Sequence, residues 1–295
     1  MSRDVVALVS ADDFIAAIRV YADRVNDLLR RGGTPALEAI EICETEALAL
    51  LDAVVTAPNT VIDLAGWWFA RAIDVTGRRD TDTGDQPLDE PTSVLAGTEG
   101  EEQVRAALTT LPRAERTAVI LRDGYDLPPQ AIGVALRRGA ASATELTANG
   151  RLQLAARYGD APAPDLAGHS GRTTVDLATL SKLADGTLEG PRAASLQRHV
   201  ENCPACAEVL HALEHGRRLV AALPIIAMDD SARQSMIDRI AHRATELLPT
   251  HDEVLRLVDT DPGADPAISP VIVVITLGLA LVLGVSIAVL LANAG

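Results

Sequence analysis

The chain has 295 residues, a net charge of −15 and only 2% aromatic residues. A large aromatic-rich β core is excluded, and the Ala- and Leu-rich remainder favours helices. Three cysteines, Cys43, Cys203 and Cys206, are too few and odd in number for a disulfide framework.

Residues 1–80 read as three helices. "DDFIAAIRVYADRVNDLLRRGG" begins on an Asp cap, carries apolar residues at helical spacing and stops at Gly32-Gly33. "PALEAIEICETEALALLDAVV" and "TVIDLAGWWFARAIDVTGRR" follow across short breaks. Cys43 reads as a small buried residue. The N-terminus has no apolar run long enough for a signal peptide.

Residues 81–98 are acidic and rich in turn formers, a linker. Residues 99–160 are helical again. A helix over 112–122, a short helix over Pro128–Leu136, a turn at Arg137–Gly139 and a longer helix from Ala140 follow the layout of a helix-turn-helix. Residues 161–173 form a second linker, and 174–224 hold short helices with a Cys/His cluster. Residues 225–268 hold an amphipathic helix over 229–248 and an acidic, Pro-containing spacer. The run 269–293 carries no charge and is long enough to cross a bilayer, which needs roughly 20 apolar residues. Its flanks carry almost no Arg or Lys, so charge does not orient it. The expected fold class is all-α: two small helical domains, a small metal-knuckle domain and one transmembrane helix.

In "RHVENCPACAEVL", His199, Cys203 and Cys206 follow the spacing His-x3-Cys-x2-Cys. On a helix, four residues bring His199 and Cys203 to one face, and thiolates and imidazole are zinc's preferred ligands. A closed zinc site takes four ligands. The spacing supplies three and leaves the fourth open. No His-Glu-x-x-His motif or other acid/base constellation is present, so no enzyme is expected. The paired thiolates also suit a redox switch.

Several of these stretches resemble known families. "LTTLPRAERTAVILRDGYDLPPQAIGVAL" resembles region 4 of extracytoplasmic-function sigma factors through Leu111, Pro112, Arg116, Leu121, Arg122, Ile132 and Leu136. Residues 12–79 resemble region 2. "LATLSKLADGTLEGPRAASLQRHVENCPACAEVLHAL" resembles the zinc-binding anti-sigma domain at Leu180, Leu183, Asp185, Gly186, Leu188, His199, Cys203 and Cys206. In that family the fourth ligand lies near Thr173, where the resemblance leaves His169 as the nearest substitute, water or no fourth ligand, or a residue such as His211 or His215 on the next helix.

The resemblance implies a membrane-tethered regulator of transcription initiation. Its sigma-like module would bind core RNA polymerase and promoter DNA under control of the zinc domain. The alternative is a degenerate sigma-like protein that captures another sigma factor. Glu41 and Glu44 stand where the family binds polymerase. Trp67 either fills the core with Trp68 or wedges a promoter base. Arg71, Arg78 and Arg79 either steer phosphate or form a solvated helix face. In the helix-turn-helix, Arg137, Arg138, Ser142, Thr144, Asn149 and Arg151 are the DNA-binding candidates. Residues 99–160 carry eight Arg against eight Asp plus Glu, so DNA binding by this module alone should be weak. The role places the bulk of the chain on the cytoplasmic side of the inner membrane.

Overall fold

The computed structural model describes residues 9–57, 63–82, 98–159 and 175–254, together with Ala163, Pro164 and Leu166. Among them are helices and no strand. None of these helices is long and apolar enough to cross a membrane. The run 269–293 lies outside the described residues.

The first three helices are α1 (Ala11–Arg31), α2 (Ala36–Thr56) and α3 (Leu64–Asp82). Ser10 caps α1 by accepting the Asp13 amide at 3.1 Å, satisfying one of the amides a helix start leaves open. Phe14, Ile18, Ala22, Val25 and Leu29 form its buried stripe. Cys43, Leu50 and Leu51 of α2 and Trp68, Phe69 and Ala72 of α3 close the same core.

The next four are α4 (Glu99–Thr109), α5 (Arg113–Val119), α6 (Pro129–Ala135) and α7 (Ala140–Tyr158). The helix expected over 112–122 divides: α5 stops at Val119 and a π-helical turn runs over Ile120–Gly124. Such turns shift the register of the residues that follow. Here the turn carries Arg122 and Asp123.

The last four are α8 (Leu177–Ala184), α9 (Gly190–Val200), α10 (Pro204–Ala221) and α11 (Asp230–Leu247). Asp176 caps α8 through the Thr179 amide at 2.6 Å, and Asp229 caps α11 through the amides of Ser231 and Ala232.

The linker at 81–98 separates two stretches of sequence, yet the helices on its two sides share one core. Ala118, Leu121, Tyr125, Leu127 and Ile132 join the α1–α3 cluster. Phe69 stacks on Tyr125 at 5.6 Å between ring centroids. Gly66 brings α3 against α6 so closely that a Cβ there would lie 2.6 Å from Ala131 O.

Within the stretch 225–268, α11 lies where an amphipathic helix was expected over 229–248. Met236, Ile237, Ile240 and Ala244 of α11 are buried in the same first core, against α1 and α2. The extended segment before it is held along α1 by polar side chains. Asp27 accepts the Ile226 amide at 2.9 Å, and Asp23 accepts the Met228 amide at 3.0 Å. Asn26 donates to Ile226 O at 2.8 Å, and Arg31 donates to Pro224 O at 2.8 Å. Each links an otherwise open backbone group to a side chain, which is how an extended segment stays docked.

Candidate metal centre

His199 lies in the last turn of α9, Cys203 is the N-cap of α10, and Cys206 lies in its first turn. The chain reverses through Glu201-Asn202, with the Asn202 amide bonded to His199 O at 3.0 Å. Pro204 then starts α10, where its missing N–H costs nothing. The three ligand atoms lie within 4.8 Å of one another, with Cys206 Sγ 3.5 Å from His199 Nε2. Both cysteines are buried and His199 is half-buried.

Burial, reinforced by the hydrogen bond and charge of Cys203, pushes the metal-free Cys206 thiol up to about 11. Two sulfurs and an imidazole nitrogen converging in a buried turn fit zinc, which displaces the thiol protons on binding. Bound there, zinc would pin the end of α9 to the start of α10. Residues 177–207 match a zinc-finger family. That family's description is "Putative zinc-finger", and the match spans α8, α9 and the first turn of α10. Neither a curated protein nor a solved structure matches the chain.

Of the residues weighed as a fourth ligand, His169 lies outside the described residues. His211 and His215 stack on each other further along α10, with ring centroids 6.5 Å apart. They do not join the His199–Cys203–Cys206 group.

The zinc-finger helices rest on α7. Leu180, Ala184, Leu196, Val209 and Leu213 form one cluster with Ala148 and Leu152 of α7. Val220, at the end of α10, joins Leu154, Val119 and three residues of the α4 segment.

The DNA-binding candidates are redistributed by this packing. Arg151 was expected to reach phosphate and is instead completely buried. Its guanidinium donates to both carboxylate oxygens of Asp123, to Ser181 Oγ at 3.2 Å, and lies 2.7 Å from Asp185 Oδ1. Burial pushes the Asp123 carboxyl up, opposed chiefly by its bonds from Arg151. Thr144 is buried too, its hydroxyl donating to Ala140 O at 3.1 Å, so it does not face a groove. Ser142 is half-buried, and Asn149 is exposed beside Glu145. Arg137 pairs with Asp74 of α3, and Arg138 is exposed.

In the first three helices, Trp68 fills the core at 1% exposure, whereas Trp67 is half-buried under the Arg71 guanidinium, 5.7 Å away. Arg71 itself donates to Glu46 at 2.7 Å. Arg78 and Arg79 lie in the last turns of α3. Glu41 is exposed on α2. Glu44 is gripped by Arg239 of α11 through two bonds of 2.6 Å, which hold its carboxyl below the usual range.

Sequence reading did not find the Arg122–Asp123–Arg151–Asp185 network. Nothing in spacing pairs residues 28 or 63 positions apart. The usable signal was an arginine in the middle of a helix whose neighbours three and four residues away, Thr147, Ala148, Leu154 and Ala155, are all uncharged.

Proposed function

We propose that the chain is an anti-sigma-type regulator of transcription initiation whose zinc-finger domain holds the N-terminal helical half as its own client. The observation that carries this is double cover: α8 and α10 bury one face of α7, and α11 buries α1 and α2. These covered faces belong to the stretches that resemble sigma regions 4 and 2. Glu44, a polymerase-binding candidate, is occupied by Arg239. A client in the same chain faces its regulator at an effective concentration of about millimolar, so modest contact affinity keeps it masked. The uncharged run 269–293 would tether the assembly to the inner membrane with its bulk in the cytoplasm. The role is one of binding, with no catalysed reaction.

A second reading is favoured by Arg151. Phosphate contacts supply most DNA affinity, and this basic side chain of α7 is spent inside the protein. The helical half would then be a resident mimic, displaced when the zinc-finger domain captures a separate sigma factor.

A protease site placed within 160–174 of the full chain separates these readings. Cutting, followed by zinc chelation, should let the N-terminal piece bind core RNA polymerase while the uncut chain does not. If the released piece never binds polymerase but the chain retains a sigma factor from a defined set, the second reading holds.

A further inference from the structure

One residue of the client is read by two elements of the zinc-finger domain. Asp185 follows α8, and its position is set by the backbone: its amide bonds to Ser181 O at 2.9 Å, and Gly186 beyond it takes φ +69°. A left-handed residue costs glycine little, so the turn ending α8 is well determined. Arg217 of α10 donates to Ala184 O at 2.9 Å and ties that turn to the neighbouring helix. Asp185 lies 2.7 Å from Arg151 and 3.2 Å from Arg122. On the opposite side, α10 meets the Arg151 backbone at Gly216. A Cβ at 216 would lie 2.9 Å from both Arg151 C and Cα, which ordinary packing does not allow.

The charges are almost fully desolvated. Side-chain exposure is 0% for Arg151, 1% for Asp123 and 8% for Asp185. Such a cluster adds little net stability over apolar residues of the same volume, because desolvation cancels most of the attraction. Removing one partner is different: a buried charge left unpaired is strongly destabilising. A contact of this kind therefore discriminates between partners more than it holds them.

We propose that Arg151 is the recognition residue by which the zinc-finger domain accepts its helical client, Asp185 reading its charge and Gly216 the approach of its backbone. The inference rests on the cis-client reading above. It specifies the partner's chemistry: a helix that delivers an arginine, already paired with an aspartate from a neighbouring turn of the client, beneath the end of α8. Asp123 supplies that carboxylate from the π-helical turn. A helix without the arginine would leave Asp185 buried beside a carboxylate with Arg122 as its one remaining cation in the cluster. A helix with bulk at the approach point would push α10 away.

The test is amide hydrogen exchange on the full zinc-loaded chain, read separately at α8, α10 and α1–α3, with bound zinc measured in parallel. Arg151→Met should speed exchange in α8 and α10 by about 100- to 1,000-fold, as expected for one stranded buried charge, while α1–α3 stay protected and zinc stays bound. Asp185→Asn keeps the shape and removes one charge; it should speed α8 about 10-fold. The apolar triple variant Asp123→Leu/Arg151→Met/Asp185→Leu should return α8 and α10 to within about 10-fold of wild type. Wild-type exchange in Arg151→Met or in Asp185→Asn would overturn the proposal. So would a triple variant as fast as Arg151→Met, because packing volume would then be the whole effect. Exchange at this junction is independent of polymerase binding. A chain that passes here but releases no polymerase-binding piece refutes the transcription role and leaves the recognition residue standing.

Discussion

The Tyr125 hydroxyl donates to Asp27 Oδ2 at 2.6 Å, joining the π-helical turn segment to α1 inside the protein. The same carboxylate accepts from Arg31 at 2.8 Å and from the Ile226 amide. One buried aspartate therefore ties together the N-terminal helices, the turn between α5 and α6, and the strap that leads to α11. Tyr125→Phe removes one donor from a buried charge and should cost about 2 kcal/mol in urea unfolding of the whole chain. Burial and the Asp27 charge raise the Tyr125 hydroxyl well above its ordinary value. A group raised in the folded state contributes fully below its unfolded pKa, near 10, and loses that contribution as pH rises through the folded value. Wild type should thus lose stability relative to Tyr125→Phe only in strong alkali. A constant difference across that range would show that the bond is not what the hydroxyl provides.

Glu44 and Arg239 predict a pH dependence of opposite sense. The Arg239 hydrogen bonds lower the Glu44 carboxyl. A lowered carboxyl contributes above its unfolded pKa, near 4.5, and loses that contribution as pH falls through the folded value. Docking of α11 on α2 should therefore weaken below the ordinary glutamate range and be unaffected above it. Arg239 is more than half exposed, so solvent and salt screen the pair and the effect is small. Protease sensitivity of α11 between pH 3 and 7 measures it. Arg239→Ala should remove the pH-dependent part, and an unchanged profile in that variant would assign the acid sensitivity elsewhere.

Gly66 sets how closely α3 approaches α6. Its substitution by alanine places a methyl 2.6 Å from Ala131 O and 2.8 Å from Val134 Cβ, neither of which is the end of a flexible side chain. The helices must separate, and overpacking of this kind costs about 1–3 kcal/mol. The Phe69–Tyr125 stack should loosen with it, because both rings lie across the same junction. The expected signature is a drop in the denaturation midpoint with faster exchange in both α3 and α6. Loss confined to α3 would mean that α6 is held by other contacts.

Helix content and the metal cluster were legible in the sequence because both are local. The stripe Phe14, Ile18, Ala22, Val25 and Leu29 is a 3.6-residue pattern, and His199, Cys203 and Cys206 lie within one turn reversal. What escaped was long-range. Spacing marks α11 as amphipathic but does not say that its apolar face seats on α1 and α2. Arg151 reads as a phosphate contact because a basic residue on a recognition-like helix usually is one. Its burial depends on Asp123 and Asp185 arriving from two other elements. The separate domains expected on either side of residues 81–98 merge for a similar reason. Phe69, Tyr125 and Gly66 complete one another only across the linker.

The metal cluster makes the last prediction. The chain should bind about one zinc ion, and binding at neutral pH should release protons, since burial pushes the Cys206 thiol up to about 11. Calorimetry in buffers of different ionisation enthalpy counts those protons. Cys203→Ser, Cys206→Ser and His199→Ala should each abolish tight binding, because each removes one of three converging donors. His169→Ala decides whether the set is three or four. A large fall in affinity makes His169 the closing ligand, and no change leaves the fourth position to water or to another residue. Chelation should raise exchange first where α9 meets α10, the turn that the metal pins, and then along the α10–α7 contact. Exchange that rises uniformly over the whole chain would instead mean that zinc holds up the entire fold.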